Sequence, residues 1–259
     1  MNFKTINPDK SISLFVKSIL VFEESQTDLK TVLPFFADGH PGLIFHETKN
    51  GLLIHPHNKL MPALFLYGQT INPIELVING EYKLILFQLY PFVLKSFFDV
   101  EPNNLNDNCY NLEQLDNSKG TNTLKKLNQT QRIEKRIEII TALLLSIFIE
   151  KQKELDFTIS NAIQKIINKK GQLIISQLSE ELYLTPRTFE RRFFNAIGVT
   201  AKQFSKIIQF QQSLEQLTVK DYTKLSDIVY ANGYADQSHF IRVFKVFTGK
   251  TPRAFESQN

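Results

Sequence analysis

One residue pattern occurs twice near the C-terminal end of this chain, and the two copies are offset by 51 residues without a gap. The first copy places Phe, Arg, Phe, Gly, Thr and Phe at 189, 191, 193, 198, 200 and 204, and the second has the same residue types at 240, 242, 244, 249, 251 and 255. Tyr183 and Tyr234 extend the match. Phe is common here, but so many matches in one register indicate a single structural unit used twice.

Each copy predicts a short helix with an aromatic inner face. Phe189 and Phe193 are four residues apart, which places both rings on one side of a helix. Gly198 lies five residues further on and suits the left-handed position that ends a helix. Arg191 falls between the two rings and therefore points to a different side. The second copy repeats this spacing.

A further helix is predicted ahead of the first copy. Ile174, Ile175, Leu178 and Leu182 recur at helical spacing. Leu184 then lies in a break, and Thr185-Pro186 offers an N-cap hydroxyl followed by Pro at the first helical position. Two helices joined by a few residues form a helix-turn-helix.

The second copy has the same organisation. Leu225, Ile228 and Val229 predict its first helix, Gly233 opens the turn, and Asp236 is the expected N-cap of its second helix. The chain is therefore predicted to carry two helix-turn-helix units in tandem.

The stretch from 228 to 252, IVYANGYADQSHFIRVFKVFTGKTP, resembles the C-terminal signature of AraC/XylS-type bacterial transcription regulators. The resemblance covers about the last hundred residues. It implies a first helix-turn-helix at about 172–198, a linker helix at about 201–217 and a second helix-turn-helix at about 223–249. It also implies that the two recognition helices enter successive major grooves of promoter DNA, about 34 Å apart on one face. RNA polymerase is the further partner that it implies.

Charge is distributed unevenly along the chain. Residues 157–259 contain 14 Lys and Arg against 8 Asp and Glu, whereas residues 1–156 contain 16 against 18. The positive charge is concentrated where DNA is expected to bind, although a modest excess of this kind is weak evidence by itself.

The second helix of each unit carries the side chains that we expect to read bases. Arg187, Glu190, Arg191 and Asn195 are predicted to share the face opposite the Phe rings. Arg pairs with guanine, Asn with adenine, and Glu accepts from cytosine. A solvated surface position is the alternative for any one of them. The expected base-contacting set is Arg187, Thr188, Glu190, Arg191, Asn195, Gln237, Ser238, His239 and Arg242, and the expected phosphate contacts are Thr185, Arg192, Lys245 and Thr251.

Two positions depart from the family pattern. Gln209 stands where the linker helix usually has Arg, and Phe194 stands where Lys is frequent. Both changes were interpreted as the loss of a cation near DNA, which favours a tighter grip by the second unit. Packing against a neighbouring domain or subunit is the alternative role for Phe194.

Short apolar runs broken by turn signals fill residues 31 to 100. The runs begin near 42, 51, 62, 74 and 82, and Asp38-Gly39, Asn50-Gly51 and Asn79-Gly80 separate several of them. Asn-Gly is a strong hairpin signal, so we expect an antiparallel β-rich domain, plausibly a small barrel. The pattern also resembles the cupin-like sensor domains found ahead of this DNA-binding module.

His40, His46, His55 and His57 cluster within this β-rich region. Metal-binding cupins use a His-x-His pair with a downstream Glu, and the Glu is missing at the expected spacing. Histidines placed by strand packing or by an organic ligand are therefore favoured, and no metal or cofactor is predicted. These four are weak candidates for binding an effector.

The chain shows no phosphate-binding Gly-rich loop, no nucleophile elbow and no Cys pair, so an enzyme is not predicted. Some relatives of this module repair DNA through reactive cysteines, but Cys109 is alone and lies outside the DNA-binding region. A single Cys indicates a reducing compartment. The N-terminus lacks an apolar signal core, and a cytoplasmic location is expected.

Residues 132 to 150 predict an amphipathic helix whose apolar core is too short to span a membrane. It is interpreted as a dimerisation helix, and packing on the β domain is the alternative. The expected organisation is a sensor or assembly domain over 1–120, a helical linker over 121–156 and the DNA-binding domain over 157–259.

The function expected from these observations is a transcription regulator controlled by a small-molecule effector. One alternative is a constitutive regulator whose N-terminal domain only oligomerises. A cupin-type metal enzyme with an appended DNA module is the other.

Overall fold

The computed structural model describes residues 2–115, 118–151 and 155–257. Strands dominate the first part of the chain, and helices make up the last part. This confirms the predicted α+β class, with an antiparallel β-rich N-terminal part and a C-terminal helical part that contains two helix-turn-helix units.

The strands form two antiparallel sheets. Their bounds are β1 (Asn2–Ile6), β2 (Val16–Glu24), β3 (Lys30–Phe35), β4 (Gly42–Thr48), β5 (Leu52–His55), β6 (Lys59–Leu60), β7 (Leu64–Tyr67), β8 (Ile74–Asn79), β9 (Tyr82–Leu89) and β10 (Cys109–Asn111). The larger sheet has the order β1-β2-β9-β4-β7-β10, and the smaller has the order β3-β8-β5-β6. All five predicted apolar runs are strands.

The two Asn-Gly turns were expected to close hairpins, and that expectation is wrong. Gly51 and Gly80 do adopt positive φ angles of 79° and 87°. However, each turn carries the chain from one sheet to the other, since β4 and β9 belong to the larger sheet and β5 and β8 to the smaller. β4 is already paired on both sides by β7 and β9, so β5 has no edge of β4 left to join.

Apolar side chains alternate between two cores along the central strand β4. Ile44 faces the smaller sheet and belongs to the core between the sheets. Leu43 and Phe45 point to the opposite face of the larger sheet, where they join the core formed with the helices. A strand buried on both faces reads as a continuous apolar run, which is how this segment appears in the sequence.

Helices begin at Val93 and make up most of the chain from there on. Their bounds are α1 (Val93–Phe98), α2 (Lys119–Asn128), α3 (Ile133–Lys151), α4 (Phe157–Asn168), α5 (Ile175–Glu181), α6 (Pro186–Ile197), α7 (Ala201–Thr218), α8 (Leu225–Ala231), α9 (Gln237–Thr248) and α10 (Pro252–Glu256). Two short 3₁₀ segments lie at Pro102–Leu105 and Leu112–Gln114. Helices α1 to α3 contribute to the same core as the larger sheet.

The buried face of α3 packs within this N-terminal core. This agrees with the alternative prediction, in which the helix packs on the β domain. Arg136 on that face is completely buried. Its Nε donates to the carbonyl of Thr130 at 2.9 Å, its Nη1 donates to Glu47 at 2.8 Å, and its guanidinium lies 5.0 Å from the centre of the Phe45 ring. Helices α2 and α3 therefore pack on the β domain. Dimerisation through the remaining surface of α3, like the domain boundaries, stays a prediction.

We expect Arg136→Ala to lower the free energy of unfolding by about 2–4 kcal/mol, because a buried carbonyl loses its donor and a cavity opens beside Phe45. Urea unfolding measures this change. Arg132→Ala is the matched control, since Arg132 is exposed just before the same helix, and its effect is expected to stay within about 0.5 kcal/mol. Equal effects of the two substitutions would contradict the anchoring role of Arg136.

Candidate DNA-binding surface

The first helix-turn-helix consists of α5, a short turn and α6. The Thr185 hydroxyl accepts from the backbone N–H of Thr188 at 3.3 Å, and Pro186 is the first residue of the helix. Phe189 and Phe193 are fully buried, and Gly198 ends the helix with φ of 83°. The N-cap, the aromatic inner face and the terminating glycine are as predicted.

The second unit consists of α8, a turn and α9, with the same design. The Asp236 carboxylate accepts from the N–H of His239 at 2.7 Å, which caps α9. Phe240 and Phe244 are fully buried, and Gly249 ends the helix with φ of 73°. The predicted linker helix is α7, which lies between the two units in sequence.

The two tyrosines that extended the sequence repeat are not equivalent in the structure. Tyr183 has φ of 55° and is 96% exposed, whereas Tyr234 is 4% exposed and packs in the core of the second unit. The residue with the conformation of Tyr183 in the second unit is Gly233, with φ of 70°. In each unit the N–H of this residue donates to the carbonyl three residues earlier, which belongs to Glu180 in the first unit and to Tyr230 in the second. The second turn is therefore one residue longer, and Tyr183 occupies a position that favours glycine.

Tyr183→Gly is expected to raise the free energy of unfolding by about 0.5–1 kcal/mol, because it relieves a left-handed backbone and removes little packing. Chemical denaturation of the full chain checks this. Tyr230→Gly is the control, because Tyr230 is also exposed but lies within the helix α8, where glycine costs about 1 kcal/mol. A loss of stability in both variants would exclude strain at Tyr183.

The outer face of α6 presents three of the predicted base-reading side chains. Arg187, Arg191 and Asn195 are exposed, and within the described residues their side chains make no hydrogen bond or ion pair. Thr188 is half-buried, and its hydroxyl lies 3.0 Å from that of Thr185.

Glu190 is half-buried at the edge of this face, and its contact with a base stays a prediction. Its carboxylate accepts from the backbone N–H of Ala201 at 3.4 Å, so it is directed toward the first residue of α7. The reason is helical geometry, since a residue three positions after Arg187 and three before Phe193 falls at the border of the buried side. Base contact by Glu190 would require its carboxylate to turn away from α7.

Arg192, expected to contact phosphate, forms a two-pronged ion pair inside the protein. Its Nε and Nη2 donate to the two carboxylate oxygens of Asp156 at 2.9 and 2.6 Å. Asp156 also caps α4 by accepting from the N–H of Ile159. In this structure the guanidinium therefore ties α6 to the start of the helical domain.

The outer face of α9 presents Gln237, Ser238, Arg242 and Lys245, all exposed. His239 is half-buried, with its ring edge-on to Tyr234 at 5.6 Å between centroids.

The sequence reasoning missed one member of this surface. Val246 is 62% exposed and stands one residue after Lys245, at the position that matches Asn195 in the first unit. The 51-residue offset alone could have identified it.

The last predicted phosphate contact, Thr251, and Thr185 are exposed N-cap residues. The Thr251 hydroxyl accepts from the N–H of Ala254 at 3.3 Å and so begins α10. Helix N-termini of this kind present backbone N–H groups that suit phosphate oxygens.

The β domain packs against the helical domain at the end of α6. Asn106 donates from its side-chain amide to the carbonyl of Gly198 at 2.8 Å. A Cβ on Gly198 would lie 2.6 Å from the backbone of Pro102 and Asn103, so only glycine permits this approach. Phe194, just before this contact, remains 39% exposed. Its alternative role in domain packing stays a prediction.

The four clustered histidines do not converge on one site. His40 accepts from the Lys17 ammonium at 3.0 Å and pairs through Nδ1 with the Leu89 carbonyl at 3.1 Å. His46 pairs with the Pro62 carbonyl at 2.9 Å. Within the described residues, no group of three or more His, Cys, Asp or Glu side chains is placed to hold a metal. His40 and His46 are thus held by the protein itself.

Burial shifts the pKa of several ionisable groups in this region, with His40 and Asp38 among them. It lowers the pKa of His40 from 6.5 to about 3, and the Lys17 ammonium adds to the effect. Burial also raises the pKa of Asp38 to about 6, against the hydrogen bonds from the backbone of His40 and from Gln88. The His40 ring is therefore neutral at pH 7, in agreement with its two hydrogen bonds.

Protonation of His40 should destabilise the fold in acid. Between pH 6.5 and about 3 the unfolded chain binds a proton at His40 that the folded chain does not, so this residue makes stability fall as pH falls. Asp38 acts in the opposite direction between about pH 6 and 4, because its folded pKa is raised.

We expect the stability difference between wild type and His40→Gln to shrink from pH 7 to pH 4 in urea unfolding. His57→Gln is the exposed control, and a difference independent of pH would refute the buried neutral state of His40.

A small void lies between the two sheets. The void is about 20 Å³, lined by side chains that include Phe65 and Tyr67, and this is room for about one water molecule. A larger cleft of about 350 Å³ lies beside it, lined by residues that include His57, Lys59, Asn106 and Cys109. Of the four histidines, His57 is the one that lines this cleft.

A helix-turn-helix domain family matches residues 178–258, and a family described as a domain of unknown function matches residues 4–111. The HTH-type transcriptional activator RhaS of Yersinia pestis is 30% identical over 82 residues, which are 32% of this chain and 30% of RhaS. An uncharacterized HTH-type transcriptional regulator of Staphylococcus aureus is 30% identical over 83 residues, 32% of this chain and 11% of that protein. Residues 178–258 form an AraC-type helix-turn-helix domain.

The match to RhaS spans less than a third of that protein. Among solved structures, ToxT of Vibrio cholerae aligns with 99% of this chain and 98% of its own, at 15% identity and a TM-score of 0.45. One ToxT structure is described as bound to an unsaturated fatty acid. Across the described residues, no helix combines the length and apolar character needed to cross a membrane.

Proposed function

We propose that this protein is a sequence-specific DNA-binding regulator of bacterial transcription. The observation that carries the proposal is the placement of Arg191 and Arg242. Both lie at equivalent positions of the second helix of an AraC-type unit, both are exposed, and within the described residues neither is paired. An exposed guanidinium at such a position suits the O6 and N7 acceptors of guanine in the major groove.

The remaining exposed residues give the two units different reading surfaces. On α6 we assign base contacts to Arg187, Arg191 and Asn195, with Thr188 at the edge. On α9 we assign them to Gln237, Ser238, His239 and Arg242, and Val246 adds an apolar side chain suited to a thymine methyl group. One chain would therefore recognise an asymmetric site made of two different half-sites.

Phosphate contacts are assigned to Thr185, Thr251 and Lys245. Thr185 and Thr251 are N-cap residues next to the recognition helices, and Lys245 carries an exposed ammonium on α9 itself. Arg192 can join them only by giving up Asp156, and the missing cation at Phe194 weakens the first unit further. The second unit is therefore expected to hold the DNA backbone more tightly.

The N-terminal domain is proposed to sense a small molecule. This proposal is supported by contacts between the N-terminal domain and both helix-turn-helix units. Ile71 and Phe92 pack on the core of the first unit. Phe36 and Ala37 pack on the core of the second unit. A ligand that binds one arrangement of these contacts better than another would change DNA binding. The cleft near His57 ends at Asn106, whose amide reaches the end of α6.

A constitutive regulator is the second candidate function, with an N-terminal domain that only assembles the protein. It is favoured by the small size of the void between the sheets, about 20 Å³, and by a groove of about 590 Å³ between α2 and α3, with Ile139 and Leu143 among its lining. A second copy of the chain is its proposed occupant. An enzymatic activity is not proposed. Either regulator would act with RNA polymerase in the cytoplasm, where bacterial promoters lie.

Arg191→Ala and Arg242→Ala are each expected to weaken binding to the selected operator by about 1–3 kcal/mol and to relax preference at one base position. The measurement is in vitro selection with the full chain, followed by titration of the operator and its single-base variants. Lys245→Ala is the control, because loss of a phosphate contact should weaken binding to all sequences alike. Uniform weakening by both arginine variants would assign them to phosphate instead.

A further inference from the structure

Side-chain amides hold the turn between α8 and α9 in the second unit. Gln209 on α7 donates from Nε2 to the carbonyl of Asn232 at 2.7 Å. Gln172 donates from Nε2 to the carbonyl of Ala231 at 3.0 Å. The amide of Asn232 itself, which is 4% exposed, donates to Gln216 on α7 at 2.9 Å. The end of α8 is thereby tied to two other parts of the domain.

Gln172 belongs to the segment that leads into the first unit, between α4 and α5. That segment is pressed against the linker helix, because a Cβ on Gly171 would lie 2.2 Å from the carbonyl oxygen of Ser205. On its other side, a Cβ on Gly233 would lie 2.9 Å from the side-chain oxygen of Gln172. The first unit thus touches the turn of the second directly, in addition to their connection through α7.

These hydrogen bonds fix the position of the α8–α9 turn more closely than apolar packing alone can. Ile207, Phe210 and Leu217 of α7 join the core of the second unit, and burial of this kind is not directional. Hydrogen bonds to the carbonyls of 231 and 232 fix direction as well as distance. The α8–α9 turn comes just before α9, so its position sets where the second recognition helix points.

We propose that Gln172 and Gln209 form a clamp that fixes the placement of α9 relative to α6 and so makes the protein selective for the number of base pairs between its two half-sites. The inference rests on the proposed function and concerns positioning residues, which need not touch DNA. It also replaces the interpretation of Gln209 as a lost DNA-contacting cation, since its amide faces the backbone of the second unit.

The geometry of DNA makes this selectivity measurable. One inserted base pair moves a half-site by about 3.4 Å along the helix axis and turns it by roughly 34°. A rigid pair of recognition helices cannot follow both changes, whereas a pair with a loosened pivot can follow part of them. The clamp therefore predicts a change in spacing preference more than a change in affinity.

The test compares wild type with the double variant Gln172→Leu/Gln209→Leu, in which leucine keeps most of the side-chain volume and removes the amide. Full-length protein is titrated with the selected operator and with operators that have one base pair added or removed between the half-sites. Wild type should lose about tenfold or more on altered spacing, equivalent to about 1.4 kcal/mol. The double variant should lose less than about threefold and should bind the original operator within about threefold of wild type.

Two further variants keep the result interpretable. Gln212→Leu is the matched control on α7, because no hydrogen bond joins Gln212 to the α8–α9 turn in the described part of the chain, and it should retain the spacing preference of wild type. Gln172→Leu alone changes an exposed residue and should give an intermediate preference even if the double variant unfolds.

The experiment distinguishes failure of the proposed function from failure of the clamp proposal. If no sequence is selected, the proposed function fails. If an operator is selected and the variants keep the spacing preference of wild type, or lose affinity equally at every spacing, the clamp is overturned while the proposed function stands.

Discussion

The linker helix α7 is the element on which the rest of the structure depends, because it is buried from three directions. Phe204 and Ile208 pack in the core of the first helix-turn-helix, and Ile207 and Phe210 pack in the core of the second. The β domain covers it from a third side, where a Cβ on Gly39 would lie 2.7 Å from the Ile208 side chain. A helix buried on several faces transmits any displacement of one neighbour to the others.

Arginines show how the same residue type serves opposite purposes in this protein. Arg136 is wholly buried and joins α3 to the larger sheet through Glu47, and Arg192 joins α6 to Asp156. Arg191 and Arg242 have no such partner among the described residues, and their guanidinium groups stand on open helix faces. An unpaired, exposed cation on a rigid helix is available to an external anion or acceptor at little desolvation cost.

Local chemistry accounts for the parts of the fold that the sequence anticipated. The spacing of Phe189 and Phe193, the cap at Thr185 and the terminating Gly198 each depend on residues within about one turn of helix, so the repeat predicted the aromatic helix of each unit. The strands beginning near 42, 74 and 82 were anticipated for the same reason. The direction of the Glu190 side chain could not be anticipated in this way, because it lies at the border of a helix face and its carboxylate contacts the neighbouring helix α7.

The sequence by itself determined the two helix-turn-helix units, their caps and their outward arginines, since these depend on contacts between residues close in the chain. The tertiary structure alone decided that the Asn-Gly turns cross between sheets, that Tyr183 corresponds to Gly233, that α3 faces inward and that Gln209 holds the second unit. Each of these depends on partners distant in sequence. Turn-forming or amphipathic residues specify a local conformation but not the surface that it meets.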